Sequence, residues 1–134
     1  MTECKPVATP AVPGQQLVKA TEEEHQSFME TNYPYRQVVG SLIYLMVATR
    51  PDISYTITKL SQYLDKPSLN HVTAAKRVLR YLKGTPDYAL LFNTTDENLC
   101  GYSNSDWAGS SDDRRSTSGF TFSLGGAPIS WKSN

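Results

Sequence analysis

The hydrophobic spacing of this chain changes once, near Pro86, from helix-like to strand-like. Between residues 33 and 84, apolar side chains recur at steps of three and four, which is typical of amphipathic helices. Beyond Pro86 the step shortens towards two, which is typical of β-strands. Because helices and strands occupy separate parts of the chain, the sequence predicts an α+β fold, a small helical bundle followed by antiparallel strands.

Three short helices are predicted before the change. The first begins near Pro34 and ends at Arg50, because the residue before a proline disfavours helical geometry. The second begins at Pro51 and continues through Leu64. The third covers about residues 70–83, and Gly84 is placed to cap its end. Tight connections between short helices indicate a compact bundle.

Four short strands are predicted after Pro86, at residues 88–92, 99–103, 119–124 and 128–131. The last three are expected to form an antiparallel meander. No helix is predicted after them, so we expect one uncovered sheet face and exposed edges, which indicates a truncated domain. Residues 1–32 contain three prolines and a run of glutamates, and we expect them to form a flexible lead, disordered or draped over the surface.

Composition by itself excludes few classes of protein. The chain of 134 residues carries 13 basic and 13 acidic residues, so net charge indicates neither a nucleic-acid nor a membrane partner. Cys4 and Cys100 lie far apart, with no C-x-x-C spacing, and a reduced intracellular setting is the default interpretation. No apolar run is long enough to cross a bilayer. We therefore expect a protein of the cytosol or nucleus with no membrane partner.

Three long stretches closely resemble copia-type LTR retrotransposon polyproteins: PYRQVVGSLIYLMVATRPDISYTITKLSQYL, HVTAAKRVLRYLKGT and GYSNSDWAGSSDDRRSTSGFTFSLGGAPISWKS. The resemblance as a whole extends from about Lys5 to Lys132, which is nearly the whole chain. In that family, this region follows the reverse transcriptase palm, covers the thumb and connection, and enters the ribonuclease H domain. The resemblance implies a thumb/connection-like helical module at residues 33–84 and, at residues 85–134, a truncated ribonuclease H-like domain with its opening strands only.

The resemblance also implies that neither active site is complete here. The paired aspartates of the palm would lie upstream of Met1, and no Tyr-x-Asp-Asp motif occurs in the sequence. The remaining ribonuclease H acids would lie downstream of Asn134. We therefore expect a cut piece that is not an enzyme as given. Its parent polyprotein would be an RNA-directed DNA polymerase with ribonuclease H activity.

Ribonuclease H chemistry uses two Mg²⁺ ions held by several carboxylates. In the family, an Asp-x-Asp-Trp-Ala-Gly motif supplies a metal ligand from its first acid, and Asn104 occupies that position here. An amide is neutral, so this change should weaken metal binding severely. Asp106 remains, either as a weak catalytic candidate or as a turn-capping or surface aspartate. We expect no metal site and no cofactor in this chain, with Mg²⁺ implied for the parent.

The third predicted helix carries a basic face. Lys76, Arg80 and Lys83 follow i, i+4, i+7 spacing, and Arg77 lies beside them. Such a face could follow the phosphates of an RNA–DNA hybrid or a duplex, where each contact releases counterions. The family places this region near nucleic acid. The alternative is an ordinary solvated helix face.

Other polar and aromatic positions have structural interpretations. His71 has no acid or cysteine at ligand spacing, which favours a packing or capping role over metal binding. Trp107 and Trp131 are predicted to be core aromatics rather than base-stacking platforms. Acids and arginines at residues 112–115 could form ion pairs in a loop between strands, where exposed pairs contribute about 0–1 kcal/mol.

The sequence leaves three functional hypotheses open. The chain is a non-catalytic polyprotein fragment, or a nucleic-acid-binding module with weak, sequence-independent affinity, or an interaction protein whose exposed strands pair with another subunit or a full-length relative. The second predicts salt-sensitive binding that disappears on charge removal. The third predicts oligomerisation that is indifferent to salt. The first predicts neither, and poor solubility.

Overall fold

A computed structural model describes residues 4–94, 98–106 and 117–133. Within these ranges helices come first and strands second, which confirms the predicted α+β class. The elements are α1 (Glu22–Glu30), α2 (Tyr35–Ala48), α3 (Ser54–Ser61), α4 (Leu69–Gly84), β1 (Cys100–Asp106), β2 (Thr117–Leu124) and β3 (Ala127–Ser133). A 3₁₀ turn, Pro51–Ile53, joins α2 to α3.

The hydrophobic core lies among the helices. Tyr35 ties α2 to α3, because its buried hydroxyl donates to the carbonyl of Leu60 at 2.9 Å. Burial raises the pKa of this tyrosine well above its ordinary value, so the hydroxyl stays a donor. The other core residues are Phe28, Val39, Leu42, Ile53, Ile57, Val72, Ala75, Val78 and Tyr81. The three predicted helices are confirmed, with differences at their ends: α3 stops at Ser61, and Thr85 rather than Gly84 caps α4.

Helix α1 corrects the expectation that no regular element precedes residue 33. Thr21 and Glu24 form a capping box, in which the N–H of Glu24 donates to the Thr21 hydroxyl and the N–H of Thr21 donates to the Glu24 carboxylate. Phe28 then reaches the core. Two contacts hold α1 near the start of α4: His25 Nδ1 lies 2.9 Å from the Pro67 carbonyl oxygen, and Lys66 pairs with Glu22.

The described strands form an antiparallel meander in the order β1-β2-β3, as predicted. Gly125 and Gly126 turn the chain between β2 and β3 with φ of 62° and 75°, a conformation that glycine adopts without strain. The strand predicted at residues 88–92 is wrong. A strand needs a neighbour, and residues 88–92 form no ladder with the described strands β1, β2 and β3.

The sheet contacts the helices through β3. The indole N–H of Trp131 donates to the Met46 carbonyl of α2 at 3.1 Å, and the Thr58 hydroxyl of α3 donates to the Ser133 carbonyl at 3.0 Å. Trp131 therefore packs against α2 but stays half-exposed outside the core, so its prediction as a core aromatic is wrong, and Trp107 lies outside the described residues. Within the described part of the chain, no helix combines the length and apolar character needed to cross a membrane.

Candidate nucleic-acid interface

Helix α4 owes its position to a cap at its first turn and to an apolar inner side. The N–H of Ser68 donates to Nδ1 of His71 at 2.9 Å, and the Ser68 hydroxyl lies 3.0 Å from the same nitrogen. The His71 ring also stacks on Tyr63, with ring centroids 4.2 Å apart. The packing and capping role predicted for His71 is confirmed. The inner side is formed by Val72, Ala75, Val78 and Tyr81.

The outer side of α4 carries the predicted cations. Lys76 is exposed, and Arg77, Arg80 and Lys83 are partly exposed. The ammonium of Lys76 lies 5.1 Å from the ring centroid of Tyr33, a distance at which a cation is attracted to an aromatic face. The four side chains share one side of one rigid helix, but they do not all face open solvent.

A segment of the N-terminal lead covers part of this basic face. We call residues 4–9 the N-terminal strap. Arg80 Nε donates to the Lys5 carbonyl at 2.6 Å, and Lys83 Nζ donates to the Cys4 carbonyl at 2.8 Å. Three cations of α4 thus hold oxygen atoms of the strap, since Arg77 also contacts it.

Arg77 binds the far end of the strap. Its Nε donates to the carbonyl of Thr9 at 3.2 Å, and its Nη2 donates to the hydroxyl of the same threonine at 2.9 Å. The middle of the strap is held by apolar contact, because Val7 packs against the helical core. At Gly84, a Cβ atom would lie 3.0 Å from the Cβ of Pro6, so the strap passes close to the end of α4.

The lead continues along the bundle beyond the strap. The hydroxyl of Tyr63 donates to the Leu17 carbonyl at 2.7 Å, which fastens this part of the lead to the turn that follows α3. A small cavity of about 80 Å³ lies beneath it, and Ala74 and Arg77 contribute the α4 wall. The path of the lead therefore follows α4 from its last turn towards its first.

An ion-pair network that the sequence patterns did not indicate fixes the end of α4. Arg50 is buried, and its guanidinium makes two hydrogen bonds to Asp52, at 2.9 and 2.7 Å. It also donates to the carbonyl and hydroxyl of Thr85, at 3.0 and 2.7 Å. The Tyr81 hydroxyl donates to Asp52 at 2.7 Å. The spacing Arg-Pro-Asp was the available signal, since proline places the acid in the following turn.

This network shifts the pKa values of its members in a consistent way. Burial favours the neutral form of Asp52, but hydrogen bonds from Arg50 and Tyr81 and the charge of Arg50 outweigh it, so the pKa of Asp52 lies below its ordinary value. The hydrogen bond to Asp52 raises the pKa of Arg50. Burial, followed by the bond to Asp52, raises the pKa of Tyr81. Arg50 and Asp52 are both charged at neutral pH, and both are hydrogen-bonded to groups within the chain.

Strand β1 carries Asn104, at the position where the resemblance implies an acid. Asn104 is exposed and lies opposite Gly119 of β2. The backbone of Asp106 pairs with that of Thr117, and the residues at 112–115 lie outside the described part of the chain. Among described residues, no group of three or more His, Cys, Asp or Glu side chains is placed to hold a metal ion. A neutral amide at 104 does not fit a two-metal site, which requires several carboxylates.

The sequence is similar to Pol polyproteins of plant transposons. It is 45% identical to the retrovirus-related Pol polyprotein from transposon RE2 of Arabidopsis thaliana over 134 residues, covering 99% of this chain and 9% of that protein. It is 41% identical to the polyprotein from transposon TNT 1-94 of Nicotiana tabacum over 137 residues, covering 99% of this chain and 10% of that protein. The chain therefore spans about a tenth of the length of these polyproteins.

A shorter relative shares most of the same region. The chain is 48% identical to the secreted RxLR effector protein 161 of Plasmopara viticola over 103 residues, covering 76% of this chain and 72% of the effector. No family model and no solved structure matches. The similarity to the polyproteins extends over 99% of the chain at 41–45% identity, and it agrees with the three motifs of the sequence. The chain belongs to the family of copia-type retrotransposon Pol polyproteins.

Proposed function

We propose that this chain is the part of a retrotransposon Pol polyprotein that follows the reverse transcriptase palm and enters the ribonuclease H domain. Residues 33–84 would form a thumb/connection-like module, and residues 85–134 the opening strands of a ribonuclease H-like domain. The parent copies RNA into DNA and degrades the RNA strand of the hybrid, with Mg²⁺, in the cytoplasm or nucleus. Support comes from the match to Pol polyproteins over 99% of the chain.

Within that polyprotein, the role proposed for this region is to hold nucleic acid rather than to catalyse. Its residue at position 104 is an amide, and an amide does not supply the charge that balances two divalent cations. The proposed contact is the outer face of α4, with Lys76, Arg77, Arg80 and Lys83 directed at the backbone of an RNA–DNA hybrid or duplex.

One observation carries the proposal of a backbone contact. Arg77, Arg80 and Lys83 hold a row of oxygen acceptors along α4 at 2.6 to 3.2 Å. From Lys76 to Lys83 the helix rises by about 10 Å, because each residue adds about 1.5 Å. Guanidinium and ammonium groups spaced along one rigid helix suit the repeated oxygens of a phosphate backbone.

Binding of the full chain to a labelled RNA–DNA hybrid at low and moderate salt tests this contact. The variant with Lys76, Arg80 and Lys83 changed to Ala should bind at least about tenfold more weakly. Its affinity should also depend less steeply on salt, by about one unit of slope for each phosphate that the variant no longer binds. A matched variant changes three cations of α2, α3 and β3 to Ala and should bind within about twofold of the unchanged chain. These control positions are Arg36, Lys59 and Lys132.

Two results would contradict the proposed contact on α4. One is that the folded chain does not bind the hybrid even at low salt. The other is that both triple variants lose affinity equally, which would indicate an effect of total charge rather than of the α4 face. Circular dichroism of each variant establishes that the helices are intact.

A second candidate role is pairing with a full-length relative through exposed strands. Within the described sheet, β1 is an edge strand, and its residues 100–105 are exposed and uncharged. Such an edge offers backbone donors and acceptors to another strand and has no charge to repel it. This role predicts association that is indifferent to salt, measured by analytical ultracentrifugation at two salt concentrations. A strictly monomeric chain at high concentration excludes it.

A further inference from the structure

The N-terminal strap, residues 4–9, binds three of the four cations on which the proposed contact depends. Its carbonyl oxygens at Cys4, Lys5 and Thr9 accept hydrogen bonds from α4, and the donors are Lys83, Arg80 and Arg77. Nucleic acid and strap therefore compete for the same donors. The N–H groups that face the strap become available to a phosphate only when the strap moves aside, because each N–H group points at one acceptor at a time.

The chemistry of the acceptors favours the replacement of strap oxygens by phosphate oxygens. The strap offers neutral carbonyls and one hydroxyl, whereas a phosphate offers anionic oxygens. A hydrogen bond between an ionised donor and an ionised acceptor is shorter and stronger than one to a neutral acceptor. The bonds to Arg77 and Arg80 are also exposed to solvent, so the carbonyls released can be hydrated at once.

The attachment of the strap to the core is small. Val7 is the strap residue that packs against the core, and it is only partly buried. Lys5, Pro6 and Thr9 are exposed. The hydrogen bonds from Arg77 and Arg80 to the strap are exposed, and the one from Lys83 is half-buried. An element attached in this way opens at low free-energy cost.

We propose that the strap is an autoinhibitory pseudo-ligand, which occupies the phosphate track of α4 and is displaced when nucleic acid binds. This inference rests on the proposed function of α4. The association constant measured for the chain is then the intrinsic association constant of the α4 face multiplied by the fraction of molecules with the strap released. Changes that release the strap raise affinity without adding any contact to nucleic acid.

Two changes in the full chain release the strap without touching a cation. Gly84→Gln adds a side chain at a position where even a Cβ atom would lie 3.0 Å from the Cβ of Pro6, and Val7→Ser removes the apolar anchor. Gly40→Gln is the matched control, since Gly40 is on α2 and an added Cβ there meets nothing within 4 Å. Both releasing variants should bind the RNA–DNA hybrid about threefold or more tightly than the unchanged chain. The control should bind like the unchanged chain.

Amide hydrogen exchange of residues 4–12 gives a readout that does not depend on affinity. In the unchanged chain, exchange in this segment should accelerate when the hybrid is added, because a strap displaced from α4 exposes its backbone amides to water. In Gly84→Gln it should be fast from the start. The salt slope of binding should be steeper for the unchanged chain than for one in which Arg77, Arg80 and Lys83 are changed to Ala.

The outcomes separate the strap from the α4 contact. If the unchanged chain binds through α4, but both releasing variants bind no more tightly and exchange of residues 4–12 is unaffected by the hybrid, the strap inference is overturned and the proposed contact stands. If no variant binds the hybrid at low salt, both are overturned. Tighter binding by both releasing variants together with faster exchange supports both.

Discussion

Arg50 and Asp52 form a two-pronged ion pair at the junction between α2 and the 3₁₀ turn, with N–O distances of 2.9 and 2.7 Å. Their side chains are 7% and 31% exposed. The same guanidinium reaches the carbonyl of Thr85, which directly follows α4. The pair thereby holds the last turn of the helix that carries the candidate interface.

Asp52→Asn should destabilise the fold. The change keeps the shape of the side chain but leaves the buried guanidinium of Arg50 without its counter-charge, and we expect a loss of about 2 kcal/mol in the free energy of unfolding. Urea denaturation measures it. Asp65→Asn is the control, because Asp65 pairs with Arg36 at the exposed surface. A similar loss in both variants would contradict a special role for the Arg50 pair.

The same pair predicts an acid limit to stability. A carboxyl whose pKa is lower in the folded chain than its ordinary value of 3.8 stabilises the fold above that value, and this contribution disappears as pH falls through the folded pKa. The unfolding free energy should therefore be insensitive to Asp52 between about pH 5 and 7 and fall below about pH 4. The unfolding free energy of Asp52→Asn should fall less steeply at acid pH than that of the unchanged chain. Parallel curves for the two chains would refute the assignment.

His71 should stabilise the fold more through the hydrogen bond that it accepts than through the stacking of its ring on Tyr63. His71→Phe keeps a ring against Tyr63 but removes the nitrogen that accepts from the buried N–H of Ser68. Leaving a buried donor unsatisfied costs about 1–3 kcal/mol, and thermal unfolding monitored by circular dichroism measures it. His71→Asn, which retains an acceptor, should recover part of the loss. Equal stability of His71→Phe and the unchanged chain would argue against the cap.

The helices α2, α3 and α4 could be predicted because each carries one apolar stripe that has to be buried. The prolines before Gly14 give no hint of α1, but the spacing of Thr21 and Glu24 is that of a capping box and could have found it. The residues at 88–92 have strand-forming side chains without a strand neighbour in the described sheet. Local preference predicts a strand only where a partner is available.

The sequence predicts the cations of the candidate site, but it does not predict that the strap binds them. Helical spacing alone places Lys76, Arg80 and Lys83 on one side of α4. The strap binds that side mainly through backbone carbonyls, which every residue possesses, so no residue type in the lead could signal it. The same holds for Arg50, whose network depends on the carbonyl of Thr85 35 positions later.

Gly101 and Phe122 should be energetically coupled across β1 and β2. They are register partners, and a Cβ at Gly101 would lie 2.7 Å from Cε1 and 3.0 Å from Cδ1 of the Phe122 ring. The ring therefore covers the glycine. Gly101→Ala should push the ring away and destabilise the fold by about 1 kcal/mol, because crowding a packed contact is unfavourable.

The double-mutant cycle decides whether the ring is the cause. In a Phe122→Ala background the obstacle is absent, and Gly101→Ala should then be neutral or slightly stabilising, because alanine loses less conformational freedom than glycine on folding. We expect a coupling free energy of about 1 kcal/mol from urea denaturation of the four chains. Simple additivity would contradict the contact. Gly126→Ala is not a suitable control, since its φ of 75° disfavours alanine for a backbone reason, whereas Gly40→Ala on α2 is free of both constraints.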